Sequence, residues 1–210
     1  MKTGALEAMA EPAVSSASYA ELEALPPNQV GEIIHGLLVK HPRPAPRNSV
    51  CANTLAYEIS GPFGRGIGGP GGWIFMVEPE LHLGNDVLVP DIAGWKRERL
   101  PKLPDTAWIE TPPDWVCEIL SPSTARLDRG AKREIYAREN VAYLWMLDPV
   151  EHFLETFRLT ASNWLLMRTF SDSEDVSAPP FDAISFPLSN LWPYDAESAE
   201  GDSGEGKTGA

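Results

Sequence analysis

Two acids occupy positions where the surrounding residues call for hydrophobes. Asp91 follows Pro90 within VLVPDIAGW, and Glu118 lies within WVCEIL. An ionised carboxylate buried without a partner is costly, so each needs a hydrogen-bonded cation or a metal. Two such acids on neighbouring strands suit Mg2+, which takes one or two carboxylates and completes its shell with water and phosphate oxygens; Mn2+ is compatible with the same donors. Further on, Asp128, Lys132 and Tyr136 recur at intervals of four and share one face of a helix. The link between strand and helix, SPSTARLD, is short. The first turns of that helix should therefore lie near the C-terminal end of the Glu118 strand, with Lys132 in reach of the same pocket. A lysine placed there can stabilise charge on a pentacoordinate phosphorus or orient an attacking water. Ser121 and Ser123 read as turn and cap donors rather than nucleophiles.

Each residue alone has a plainer reading. Asp91 is compatible with a turn, and Lys132 with an exposed helix lysine paired to Asp128 in a surface ion pair of little worth. Glu118 resists that treatment because its strand is otherwise apolar. Strand alternation sets Val116, Glu118 and Leu120 on one face and Cys117 and Ile119 on the other, so Cys117 points away from the acid. Three polar groups converging on one place favour a site.

These side chains need a scaffold, and the pattern supplies one. Ser18 to Leu25 reads as a short helix with a Ser18–Glu21 capping box. Glu32 to Lys40 reads as a β-hairpin or two short strands, with His35-Gly36 at or near the turn, and the prolines of His41 to Pro46 make a loop. Asn48 to Ser60 has helical spacing and should stop at Gly61-Pro62. Seven glycines and two prolines between Gly61 and Gly72 predict a long flexible turn, without the lysine and hydroxyl of a phosphate loop. Trp73 to Leu83 and Asp86 to Trp95 form a hairpin about Gly84-Asn85. Trp115 to Leu120 is a strand, Leu127 to Asn140 a helix, and the apolar run Ala142 to Leu147 a central strand. Phe153 to Leu159 and Asn163 to Phe170 pair as a solvent-facing hairpin. The fold class is α/β: a mixed β-sheet flanked by helices in a single domain over 18–194, with disorder expected for 1–17 and for the acidic tail 195–210.

Composition narrows the function. The 210 residues carry a net charge of −13. From Asp172 onward nine acids face one lysine, which leaves −5 on residues 1–171. Basic residues cluster at 96–102 and 126–138, but the body lacks the basic excess of a high-affinity DNA binder. Cys51 and Cys117 are far apart, which excludes a zinc ribbon or a CxxC redox pair. No apolar run spans a bilayer and the N-terminus has no signal-peptide character, so a cytoplasmic protein away from membranes is expected. Trp73, Trp95, Trp108 and Trp115 read as core and hairpin residues.

At GEIIHGLLV, VLVPDIAGW and WVCEILSPSTARLDRGAKREIYARENVAYLWMLDP the chain resembles the Uma-two family of the PD-(D/E)xK, restriction-endonuclease-like superfamily. The resemblance runs from about Tyr19 to Pro193; the EILSPST…D…K…Y block is specific and the PD pair is not. It implies a restriction-endonuclease-like core and a metal-dependent endonuclease acting on DNA, with Asp91 and Glu118 as Mg2+ ligands. It implies Glu32 as a further site acid, and Lys132 in place of the lysine that the superfamily carries two residues after the strand acid, where this chain has Leu120. Family members often carry a histidine after the Pro-rich loop; Asn48 stands there instead. A homodimer would supply two sites for two strands. The competing readings are an inactive module of the same fold that binds nucleic acid or a partner protein, and a hydrolase of small phosphoesters.

Overall fold

The computed structural model describes residues 16–192, so the disorder expected for the N-terminal stretch and for 195–210 lies outside the described residues. Helix α1 (Tyr19–Glu23) begins at Ser18, whose side chain and that of Glu21 cap each other reciprocally. A tight hairpin follows, β1 (Gln29–Ile34) and β2 (Leu37–Pro42). His35 and Gly36 both take positive φ, as a two-residue hairpin turn requires. Helix α2 (Pro46–Ile59) starts on a proline, which forfeits no helical hydrogen bond at that position. It does not stop at Gly61-Pro62. It loosens into a π turn over Ser60–Gly64, closed by Arg65 N–H donating to the Ser60 carbonyl. The glycine stretch beyond is folded back on itself, with Ile67 and Gly71 N–H donating to the carbonyls of Gly61 and Pro62. A Cβ on Gly69 would stand 2.5 Å from that of Pro62, so glycine here serves close approach more than flexibility.

The long hairpin expected about Gly84-Asn85 keeps one register from end to end and yet serves two sheets. Its distal half is β4 (Glu80–Leu83) against β5 (Asp86–Leu88), and its proximal half is β3 (Trp73–Val77) against β6 (Ile92–Lys96). Between them Pro79 and Pro90 fall opposite one another in that register. Neither can donate to the ladder, Glu78 takes a positive φ, and the ribbon bends. The distal half joins a five-stranded sheet in the order β2-β1-β5-β4-β7, with β7 at Trp108–Ile109. The proximal half joins a six-stranded sheet in which β6 pairs with β8 (Trp115–Ile119), β8 runs parallel to β9 (Tyr143–Asp148), and β10 (Phe153–Thr160) and β11 (Asn163–Ser171) extend the edge. Asp91 sits on the bend, one residue before β6.

The crossover from β8 to β9 carries the second helical unit. It runs as α3 (Ala125–Leu127), a π turn over Asp128–Lys132 and α4 (Arg133–Arg138). The sequence predicts one regular helix here; Gly130, at φ −110° and ψ −107°, breaks it. Strand β8 is buried along its whole length and divides the core. Trp115, Cys117 and Ile119 pack toward Cys51, Leu55 and Ile59 of α2 and toward Phe181 and Leu191. Val116 and Leu120 pack toward Leu81, Leu88, Ile135 and Tyr136, between the two sheets. Trp95 and Trp115 are core residues. A short ribbon, β12 (Asp175–Val176) with β13 (Phe186–Pro187), closes the first side. Among the described residues no helix is long and apolar enough to cross a membrane.

Candidate active site

Glu118 lies on the inter-sheet face of β8, as alternation requires, and is 1% exposed. The antiparallel register pairs Ile92 with Cys117, and one step beyond it Asp91 stands opposite Glu118. Asp91 Oδ2 accepts the Ile119 N–H at 2.7 Å, which anchors the aspartate to the end of β8. Both carboxylates line a cavity of about 290 Å3 walled by the Pro-rich turn (His41 to Ala45), Asn48, Val89, the Ser121–Thr124 loop, Asp128 and Lys132.

Lys132 reaches this place from the helix, not from the strand. Its ammonium is 3% exposed and lies 2.9 Å from Glu118 Oε1, 3.1 Å from Glu32 Oε1 and 3.4 Å from Asp128 Oδ1. The plain reading of an exposed lysine does not hold. The Asp128 contact is present, but it is buried and one of three. Burial by itself would lower the lysine's pKa; Glu118 and Glu32 outweigh it and hold the ammonium well above its ordinary value. Tyr136, one turn on, donates to Glu118 Oε1 at 2.5 Å. The break at Gly130 lies between Asp128 and Lys132, so both are delivered to one cavity from a distorted turn.

Glu32 comes from the other sheet. On β1 it is 1% exposed, and its Oε1 accepts the Val89 N–H at 2.8 Å as well as the lysine. Burial pulls its pKa up, but Lys132, His41 and the Val89 amide hold it below the usual carboxylate range. The other acids go the opposite way. Burial raises Asp91 to about 6, raises Asp128, and pushes Glu118 well above the carboxylate range in spite of Lys132. The structure thus brings Asp91, Glu118, Lys132 and Glu32 together.

Two participants escaped the sequence reading. Asp128, from the sequence a surface ion-pair partner of Lys132, is a buried wall of the cavity. His41 was placed in a loop; β2 extends through Pro42, and His41 Nε2 lies 3.3 Å from Glu32 Oε2. The signal was two-residue periodicity, since His41 is diagonal to Glu32 in the β1–β2 register. Asn48, at the position where a histidine was expected, has its amide donating to the carbonyls of Ile119 and Leu120 at 3.1 and 3.3 Å, so it pins the end of β8. Among the described residues no three acids, imidazoles or thiols converge closely enough to cage a metal by themselves. The donors fit a cation that keeps most of its water: two carboxylates on one wall of an open cavity, in a cluster of four acids against one lysine and one histidine.

Comparison with known proteins agrees with this architecture. Residues 17–189 match the family Uma2, described as "Putative restriction endonuclease". A crystal structure described as "a putative nuclease belonging to DUF820" from Anabaena variabilis ATCC 29413 superposes with a TM-score of 0.68 at 20% identity, covering 84% of this chain and 98% of that one. At that identity the likeness is one of fold. No curated protein matches the sequence.

Proposed function

Because the chain belongs to the Uma2 family, we propose that it is a metal-dependent nuclease that hydrolyses phosphodiester bonds of DNA. The observation that carries this reading is the buried Lys132 ammonium, shared among Glu118, Glu32 and Asp128 beside Asp91 in one open cavity. Four acids against Lys132, His41 and Arg43 leave no positive excess to draw in a phosphodiester, so a divalent cation would enter first. Asp91 and Glu118 would hold Mg2+ or Mn2+. Glu32 would not, because its two oxygens are committed to Val89, Lys132 and His41. The bound ion would supply Lewis-acid polarisation of a phosphate oxygen and an acidified water.

The chain's own residues do the rest. Ile119 N–H fixes Asp91, and Tyr136 fixes Glu118, so neither carboxylate must reorganise when charge arrives. Lys132 places a full positive charge where a phosphorane gains negative charge. Val89, Ile119 and Pro44 give the cavity an apolar wall, while Arg43, Ser123 and Thr124 on its lining offer donors to substrate phosphates. Cutting both strands of a duplex needs two such sites, which a homodimer would supply.

The test is cleavage of plasmid DNA with Mg2+ or Mn2+, alongside calorimetric titration of the metal. Wild type should cut only with metal, and Asp91→Ala, Glu118→Gln and Lys132→Ala should each abolish cutting while the circular dichroism spectrum is kept. Cutting that survives Asp91→Ala refutes the reading. A protein that binds DNA equally well with and without Asp91, and takes no metal, is the binding module instead.

A further inference from the structure

His41 stands at the rim of the cavity with 18% of its side chain exposed, and both ring nitrogens face acceptors. Nε2 lies 3.3 Å from Glu32 Oε2, and Nδ1 lies 3.3 Å from the Pro42 carbonyl. A carboxylate and a carbonyl can only accept. Hydrogen on both nitrogens, the imidazolium form, satisfies both contacts. Glu32 is therefore an anion held between two cations, the buried Lys132 on Oε1 and His41 on Oε2. The other titratable and charged groups facing His41 are Lys132 beyond Glu32, and Arg43, Asp91, Glu118 and Asp128 on the walls of the cavity it lines. The Glu32 hydrogen bond raises the histidine's pKa against both its burial and the repulsion of Lys132.

We propose that His41 is a positioning residue for Lys132 that acts through Glu32. By satisfying one oxygen of Glu32 and sharing its charge, His41 leaves the ammonium free to divide itself between Glu32 and Glu118. When His41 loses its proton, the second positive charge disappears and Glu32 draws on Lys132 alone. The ammonium then moves toward β1 and away from Glu118. This inference rests on the nuclease reading for its catalytic consequence, but not for the coupling itself.

The experiment follows the Lys132 15Nζ and His41 13Cε1 resonances from about pH 5 to 9, in wild type, His41→Gln and Glu32→Gln. The Lys132 signal should shift along the His41 titration curve in wild type and lose that shift in His41→Gln. In Glu32→Gln the His41 titration should move to lower pH. In the nuclease assay, wild-type kcat should decline on the alkaline side as His41 titrates. His41→Gln should lack that limb, with kcat reduced about tenfold and KM for DNA unchanged, and His41→Lys should recover rate. A Lys132 resonance indifferent to the His41 titration overturns the proposal, and the wild-type titration alone decides this if the variants do not fold. A Lys132 signal that follows His41 in a protein that cuts no DNA supports the coupling and overturns the nuclease reading.

Discussion

Replacing Lys132 by methionine keeps the length of the side chain and removes the one buried cation among the described residues. Three carboxylates, at 2.9, 3.1 and 3.4 Å from the ammonium, lose it together. Breaking a buried ion pair from one side costs about 3–5 kcal/mol, because the remaining charge is left uncompensated. The acids can escape by taking up protons, and each unit by which a carboxyl's pKa climbs corresponds to about 1.4 kcal/mol. Three acids lose their counter-charge at once, so the loss near neutral pH should be about 3–5 kcal/mol. The sign with pH follows from the direction of those displacements. A carboxyl whose folded pKa is raised contributes stability below its unfolded value and loses it as pH rises through the folded one. The gap between variant and wild type should therefore be widest near pH 8 and should shrink toward pH 5. Urea unfolding at the two pH values measures it. Adding Glu118→Gln to Lys132→Met should recover part of the loss, since one orphaned charge is gone. A loss below about 1 kcal/mol, or one equal at both pH values, refutes the claim that Lys132 neutralises these acids.

Tyr136→Phe keeps the buried ring and deletes the hydroxyl on Glu118; urea unfolding should show a loss of about 1–3 kcal/mol, as for a buried acceptor left short of a donor. Burial holds Asp91 at about 6, so at pH 5 only about one-tenth of it is ionised. Calorimetry should then find Mn2+ binding at least about tenfold weaker at pH 5 than at pH 7.5, since Glu118 also takes up protons, and a flat profile would remove Asp91 from the ligand set. Gly94→Ala puts a Cβ 3.0 Å from Phe75 and 3.1 Å from Trp115, two aromatic rings in contact. It should cost about 1–3 kcal/mol, and thermal unfolding at unchanged temperature would show that the rings give way freely.

The sequence was most legible where a local rule had no competitor. The Ser18–Glu21 cap, the His35-Gly36 turn and the alternation along β8 each depend on neighbours a few residues away. The hairpin about Gly84-Asn85 was legible in its register but not in its bend. Pro79 and Pro90 are ordinary breakers until their opposition across the ribbon is known, and only then do they explain why one hairpin feeds two sheets. Glu118 and Lys132 were readable from an acid in an apolar strand and a short link to the next helix. Asp128 and His41 were not, because a charged residue near a helix start or beside prolines looks solvated, and its burial depends on chain far away. The break at Gly130 was hidden in the same way, since helical periodicity on either side bridges it.

The bent hairpin gives the protein a built-in strain gauge. Glu32 belongs to the five-stranded sheet and Glu118 to the six-stranded one, and the Lys132 ammonium is riveted to both. Sliding of one sheet on the other would draw those two oxygens apart and load the Lys132 contacts directly. Heating should therefore disarm the molecule before it melts, with activity fading while the strand signal in circular dichroism is still whole.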